Sequence, residues 1–407
     1  MGKRVILVFL MAVVTLSVYG QKVTVSGLVT SLGDGRSISG ASVAAEGCGV
    51  MVVTNGDGFF TLKTDSLPRA VVVSHLGYES RRVELGNSLD GPLKISLKPT
   101  AILLSEVLVV ANDPRELVMA AIRKIPKNYS LQPELHRCFY RETAMKRQHY
   151  ICVAEGVVDM YKTAYGHGTG RDRVAIRKGR RLLSPRQTDT LSVKVMGGPV
   201  GPVQLDMVKN LELLFNTDEL DLYELKMELP EMIADRQQYV VSMAPRATVE
   251  WPLYFGKLYI DRETLAFSRI DLSLDMSDRE KATRMMLVKK PAGVRFRPKE
   301  LSLLIDYRLG DDDLSRISYV RTTFRFNCDW RRRLFATSFT AVCEMVVTNT
   351  QGGPDVQPIR GRESFDQRDA FFDQVAFFRD PAFWQDYNII EPTESLDRAI
   401  ERIVKKY

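Results

Sequence analysis

The second half of the chain alternates apolar and polar residues with a period of two, over runs that no helix could share. Ile270, Leu272 and Leu274 stand against Asp271, Ser273 and Asp275, and Leu301, Leu303, Ile305 and Tyr307 alternate with more polar neighbours. Phe324, Phe326, Cys328 and Trp330 alternate with Arg325, Asn327 and Asp329. Successive side chains of a strand point to opposite faces, so each run belongs to a sheet with one buried and one wet face, as in antiparallel pairing. Residues 256–264 read as a further strand entering a turn, with Leu265 starting the return strand. Earlier strands are read at residues 138–143 and 150–161. Without parallel crossovers, these strands are expected to form one curved sheet over a helix at residues 204–215, read from Leu205, Val208, Leu211 and Leu214.

The region before it has a shorter rhythm. Val23 and Val25 alternate with Thr24 and Ser26, Val71 to Val73 is a continuous buried run, and Leu93, Ile95 and Leu97 alternate with lysine and serine. Turn signals at Gly33-Asp34-Gly35, Asn55-Gly56-Asp57-Gly58 and Asn87 to Pro92 cut these runs into about seven short strands of a small antiparallel sandwich.

Five blocks here carry a resemblance: Val25-Ser26-Gly27-Leu28-Val29, Ile38 to Val43, Thr54 to Phe60, Val73-Ser74-His75-Leu76-Gly77-Tyr78 and Leu104-Ser105-Glu106-Val107. In order and spacing they resemble a carboxypeptidase regulatory-like domain over about residues 22–111, which implies a transthyretin-like β-sandwich. Such domains accompany zinc carboxypeptidases and precede the plug of TonB-dependent outer-membrane receptors. A zinc carboxypeptidase needs a His-x-x-Glu pair, and none of the four histidines, His75, His136, His149 and His167, has a glutamate three residues on. A receptor needs a plug and a barrel of about 22 strands, for which the remaining chain is too short. The second region is similar to bacterial envelope proteins that carry this module at the amino end, through residues 121–129, 139–142, 256–264 and 380–392 with Phe383-Trp384. In strand pattern alone it is also similar to half-barrel lipoprotein carriers, whose curved sheet wraps a lipid-sized cavity.

The amino terminus reads as a secretion signal. Lys3 and Arg4 precede the apolar run Val5 to Val18, and Val18 and Gly20 stand three and one residues before Gln21. The run is short for an uncleaved anchor, and Gln21 in place of cysteine excludes lipid attachment at that cut. The expected layout is a signal peptide at 1–20, the regulatory-like sandwich at 21–111, a helical linker at 112–130, a β-rich antiparallel domain at 131–392 and an amphipathic helix at 393–407. Asp113 and Pro114 suit the start of the linker helix. Thr393 suits the start of the last one, whose stripe is Leu396, Ala399, Ile400, Ile403 and Val404. No later segment is apolar enough for a transmembrane helix.

Candidate chemistry is sparse. The net charge of +7 over 407 residues is mild, and no nucleic-acid motif accompanies it. Five cysteines leave at least one unpaired. If Trp330 opposes Phe335 in a hairpin, Cys328 faces Thr337 and Cys343 is out of reach. Cys138 and Cys152 are symmetric about Met145, so a hairpin turning there would set them opposite each other, the other reading being two small apolar core residues. Residues 166–170 look like a flexible glycine-rich loop and residues 55–58 like a hairpin turn, not a phosphate or calcium loop. The expectation is therefore no metal, no cofactor and no catalytic residue.

Two clusters remain. Phe371, Phe372, Phe377, Phe378, Phe383, Trp384 and Tyr387 make either a ligand or membrane contact or, on the stronger argument, core closure over a sheet. Arg171, Arg173, Arg177, Lys178, Arg180, Arg181 and Arg186 stand against Asp172 alone. They are either a solvated loop or a contact for an anionic partner, lipid phosphate or an acidic protein. Three functions follow from these features. The leading one is an exported, non-catalytic protein of the periplasm or outer membrane of a Gram-negative-type bacterium, with envelope proteins or lipids as partners. The others are a lipid carrier using the sheet's hollow and a carboxypeptidase-type hydrolase.

Overall fold

The computed structural model describes residues 22–87, 89, 91–100, 113–184, 197–286, 293–330, 336–377, 383–384 and 386–405. The signal sequence, the block at 104–107, Arg186, the turn at 331–335, Phe378 and residues 380–382 lie outside the described residues.

The fold is mainly β, as the alternation implies. The seven strands of the amino-terminal module are β1 (Val23–Ser31), β2 (Ser42–Ala45), β3 (Met51–Val53), β4 (Phe59–Thr64), β5 (Ala70–Ser74), β6 (Arg81–Glu84) and β7 (Leu93–Leu97). They form two sheets in the orders β4-β1-β7 and β3-β2-β5-β6, closed over Val25, Val29, Val43, Phe60, Leu62, Val71, Val73, Ile95 and Leu97. Within the module β1 and β7 depart from the antiparallel expectation and run parallel.

Twelve strands build the second sheet: β8 (Glu134–Lys146), β9 (His149–Lys162), β10 (Arg173–Leu183), β11 (Tyr223–Met227), β12 (Glu231–Ile233), β13 (Arg236–Pro245), β14 (Tyr254–Asp261), β15 (Phe267–Leu274), β16 (Val294–Leu309), β17 (Ser315–Trp330), β18 (Thr337–Gly352) and β19 (Ala376–Phe377). The order is β11-β13-β14-β15-β16-β17-β18-β8-β9-β10-β19, with β12 beside β13, and the curved sheet stays open. Here β10 and the short β19 also depart from the antiparallel expectation and run parallel. Cys328 pairs with Thr337, the register expected from the hairpin. The β8–β9 hairpin turns after Lys146 and not at Met145, so Cys138 faces Val158, Cys152 faces Ala144, and all five cysteines are free thiols. The strand returning from β14 starts at Phe267, because Leu265 sits in the turn at φ 60°. There Asp261 Oδ1 accepts from the backbone N–H groups of Glu263 and Thr264 at 3.0 and 2.8 Å.

Helix α1 (Pro114–Arg123) is capped by Asp113, which accepts from Arg115 N, and is followed by the short α2 (Ile125–Asn128). The helix expected at 204–215 is broken. In its place come α3 (Val200–Gln204), a single 3-10 turn at Leu211–Leu213 and α4 (Thr217–Leu220). The cause lies in Asp206 and Lys209, which a regular amphipathic helix would leave in water. Both are buried: Asp206 ion-pairs with Lys162 and accepts from the Tyr165 and Tyr307 hydroxyls at 3.1 and 2.7 Å, and Lys209 donates to Asp172 at 2.6 and 2.8 Å. Buried charges persist only when paired in this way.

This broken segment, α1 and the short α6 (Phe371–Gln374) cover one face of the sheet, with Val118, Met207, Val208, Leu214, Phe215 and Phe371 fully buried against residues from β8 through β17. Gly156 and Gly179 pair across β9 and β10, and side chains there would collide with Phe371 and Val375. The exposed helix α5 (Arg279–Met286) lies beside β16. The last helix, α7 (Glu394–Val404), capped by the Thr393 hydroxyl, buries Leu396 and Ile403 on Val153 and Leu182. No helix among the described residues is long and apolar enough to cross a membrane.

Candidate functional site

The opposite face of the sheet meets the module. Ala44, Met51 and Val53 pack with Phe139, Val157, Tyr319, Val346, Phe383, Trp384, Ile389 and Ile390 in one buried cluster. Of the aromatics near the carboxyl end, Phe383, Trp384 and Tyr387 therefore close a core between module and sheet, while Phe371 and Phe372 pack on the opposite face of the sheet and Phe377 beside the last helix. Residues 383–384 and 386–394 run along the seam as a strap. Trp384 Nε1 donates to Glu155 at 3.3 Å, Arg141 donates to Ile390 O at 2.5 Å, and Lys63 Nζ donates to Trp384 O and Tyr387 O at 2.7 and 3.1 Å. Asn388 accepts from Lys63 N at 2.7 Å and donates to Lys63 O at 2.9 Å. The Asn55–Gly58 turn joins the same seam: Asn55 Nδ2 donates to Pro392 O at 2.9 Å, and Asp57 accepts from Glu394 N, at the start of α7, at 2.7 Å.

A second junction lies further along. Gly77 N donates to Met232 O at 3.0 Å and Ser80 N to Asp235 Oδ1 at 2.7 Å. Ala234 and Asp235 form the two-residue turn between β12 and β13 at φ 49° and 59°, which suits a tight hairpin. For alanine this left-handed conformation costs about 1–2 kcal/mol.

Between these junctions module and sheet stand apart around a cleft of about 320 Å³. Ser42, Ser74, His75 and Ser80 line it from the module, and Gln238, Asp261, Arg269, Asp306, Arg308 and Ser318 from the sheet. Strand alternation puts the polar members here, since Ile270 and Ile305 face the other way into the core. A larger recess of about 880 Å³, reaching Glu134 and Arg316, also has Arg308 in its wall.

The charges in this region are mostly matched. Arg236 grips Asp261 at 2.6 and 2.8 Å, Arg269 pairs with Asp306 at 2.8 Å, and Arg316 bridges Glu134 at 2.8 Å and Asp312 at 2.6 Å. Burial pushes the Asp306 carboxyl up and, with the Arg269 charge, holds the His75 imidazole down. Arg308 is the exception: exposed in the wall, it makes no ion pair, hydrogen bond or ring contact among the described residues. Two neutral groups are also unspent, Gln238 Oε1 and Ser80 Oγ. With no hydrogen-bond partner, the Ser80 hydroxyl has neither a histidine nor a carboxylate to activate it. The arrangement is suited to holding a ligand.

The basic run predicted from the sequence lies elsewhere and is differently built. It forms strand β10, not a loop, because its charges answer carboxylates on β9. Arg180 donates to Glu155 at 2.8 Å with its side chain 14% exposed, and Arg177 to Asp159 at 2.6 Å while 47% exposed. Arg141 and Arg137 complete these pairs from β8. Lys178 lies 4.3 Å from the Phe383 ring, and Arg181 donates to Phe372 O while covering its ring. Arg171 and Arg173 are exposed, and Arg173 is held to Gly170 O and Asp172 O. Sequence reasoning missed the cleft residues Arg308, Gln238 and Ser80, which carry no motif and come to one cleft only through the packing of module on sheet.

The family model of the CarboxypepD_reg-like domain matches residues 25–109, the folded module. No curated protein matches the chain. Among solved structures, a DUF1329 family protein from Desulfovibrio piger is similar at 9% identity and a TM-score of 0.26, covering 60% of this chain and 96% of that one. A domain assigned to outer membrane lipoprotein-sorting proteins, from Vibrio parahaemolyticus, gives 8%, 0.27, 60% and 95% in the same terms. Lipovitellin gives 12%, 0.26, 63% and 29%.

Proposed function

We propose that this chain, a CarboxypepD_reg-like module clamped to a large open sheet, is a non-catalytic binding protein of the cell envelope whose binding site is the cleft between the two. The observation that carries this reading is the cleft itself, walled by both halves of the protein, in which Arg236 and Arg269 are held by carboxylates while Arg308 is exposed and, among the described residues, unpaired. A concave site at a domain interface is where ligands are commonly held, and a guanidinium without a carboxylate partner is available to an anion. A module of regulatory-like type agrees with a role in binding. The envelope location rests on the amino-terminal sequence. Lipid carriage in the sheet's hollow is the weaker alternative, because Met207, Val208, Leu214 and Phe215 fill that face. The carboxypeptidase alternative lacks its histidine and glutamate spacing.

The test is affinity capture from the native envelope, with mass spectrometry of proteins and small molecules, on the wild type and on Ser74→Phe, which fills the cleft. A molecule held by the wild type and lost by the variant is expected. Identical captures would sink the reading, and turnover of a peptide or ester panel by the purified protein would overturn its non-catalytic part.

A further inference from the structure

We infer that the rim of the open sheet furthest from the cleft rests on the surface of an anionic lipid bilayer, with its arginines on phosphates and Trp251 among the headgroups. From β13 to β10 every neighbouring pair is antiparallel, so the connections fall alternately on two rims. One rim carries the turns beside the module: Asp235, Thr264 and Ser315 line the cleft, and Asp311 and Asp312 line the recess. The other carries the connections β8–β9, β13–β14, β15–β16 and β17–β18. By sequence these segments, 147–148, 246–253, 275–293 and 331–336, hold ten lysines and arginines against four acids. The segments of the module rim, 163–172, 234–235, 262–266 and 310–314, hold two against six.

Local packing leaves the positive rim free to bind. Asp275 accepts from the Ser277 N–H and hydroxyl at 2.8 Å each, and Asp278 accepts from Glu280 N and Lys281 N at 3.0 and 3.1 Å where α5 starts. Those acids are spent within their own segment, whereas Arg147, Arg246, Arg284 and Arg295 are exposed and make no ion pair among the described residues. Apolar side chains stand among them, Trp251 being 49% and Met285 50% exposed. Lys281 Nζ donates to Val249 O at 2.5 Å, and Lys281 and Met285 share a flank of α5, so Met285 lies on the side of the Trp251 turn. From β14 to β8 is five strand spacings, about 24 Å, too wide for one small anion to span. A bilayer surface offers phosphates to cations spread over that width and an interfacial layer that favours tryptophan.

The rim is apart from the cleft, and its test does not depend on the ligand held there. The full chain is co-sedimented with vesicles. Equal parts of phosphatidylglycerol and phosphatidylcholine should bind it about tenfold or more tighter than phosphatidylcholine alone, and the binding should weaken as salt rises from about 0.05 M to about 0.5 M. Arg147→Gln with Arg284→Gln should weaken it about tenfold or more at an unchanged melting temperature. Brominated lipid in the mixed vesicles should quench the fluorescence of the wild type more than that of Trp251→Phe. Arg171→Gln with Arg173→Gln, two exposed cations of the module rim, should bind as the wild type does. The inference falls if the mixed vesicles bind no better than neutral ones, if the Arg147 and Arg284 pair can be replaced without loss, or if the Arg171 and Arg173 pair costs as much, which would mean diffuse attraction. Should vesicles fail while the Arg147 and Arg284 variant loses a protein captured from the envelope, the occupant is an acidic protein and the lipid assignment is overturned.

Discussion

Asn388 completes the outer edge of β4 at Lys63, accepting its N–H at 2.7 Å and donating to its carbonyl at 2.9 Å, as a neighbouring strand would. An unpaired strand edge invites pairing with other chains, and a single carboxamide here covers it. Asn388→Ala should therefore destabilise the protein by about 1–3 kcal/mol, the range for leaving partly buried backbone groups unpaired. Urea unfolding checks this, and a midpoint equal to wild type would show that the contact contributes nothing.

Arg180 and Arg177 differ in burial although both meet carboxylates of β9. Arg180→Gln leaves Glu155, 1% exposed, with half its charge compensation gone, and should cost roughly 3–5 kcal/mol. Arg177→Gln should cost less than about 1 kcal/mol, because its side chain is half in water. Denaturant titration of both variants distinguishes this from a uniformly solvated run, in which both would be silent.

Glu142, buried on β8 with the Tyr140 hydroxyl donating to it at 2.7 Å, has its carboxyl pushed up to about 7 by burial. The folded state thus holds this proton more tightly than the unfolded chain does. Its contribution is intact below about pH 4.5, declines between about 4.5 and 7, and above that has fallen by roughly 3 kcal/mol. Glu142→Gln, neutral throughout, should gain stability relative to wild type as pH rises through that window. A wild-type-to-variant difference that stays flat from pH 4 to 8 would refute the assignment.

The five cysteines are free, so reducing agent should leave the melting temperature unchanged. In the native protein a thiol reagent should reach Cys48 first, since Cys138, Cys328 and Cys343 are buried and the half-buried Cys152 has its thiol pushed up to about 12 by burial. Mass mapping of modified sites checks the order. Modification of Cys138 at the rate of Cys48 would contradict the fold of β8.

What the sequence disclosed depended on how local the cause was. The alternation about Ile270 and Ile305, the facing of Cys328 and Thr337 and the caps at Asp113 and Thr393 follow from residues near one another, and all are found. Residues 204–215 misled because Asp206 and Lys209 take their partners from Lys162 and Asp172, tens of residues away, and those ion pairs override the apolar spacing. The basic run misled for the same reason, its partners Glu155 and Asp159 lying on the preceding strand. The cleft was illegible because its walls come from the module and from several strands of the large sheet, which come together only when module and sheet pack, and no spacing rule reaches that far.

The strap also sets a timetable. Lys63 and Asn388 are 325 positions apart. At about 5–20 residues per second, a ribosome needs roughly 15–60 seconds to go from one to the other. The module can fold early in that interval, but its β4 edge then waits bare until Asn388 arrives. If the chain crosses a membrane amino end first, the wait includes that passage too. A nascent chain stalled or clipped before residue 383 would hold a finished module with nothing to cover its edge, and such truncated products should be the first to be bound by chaperones or lost to proteases.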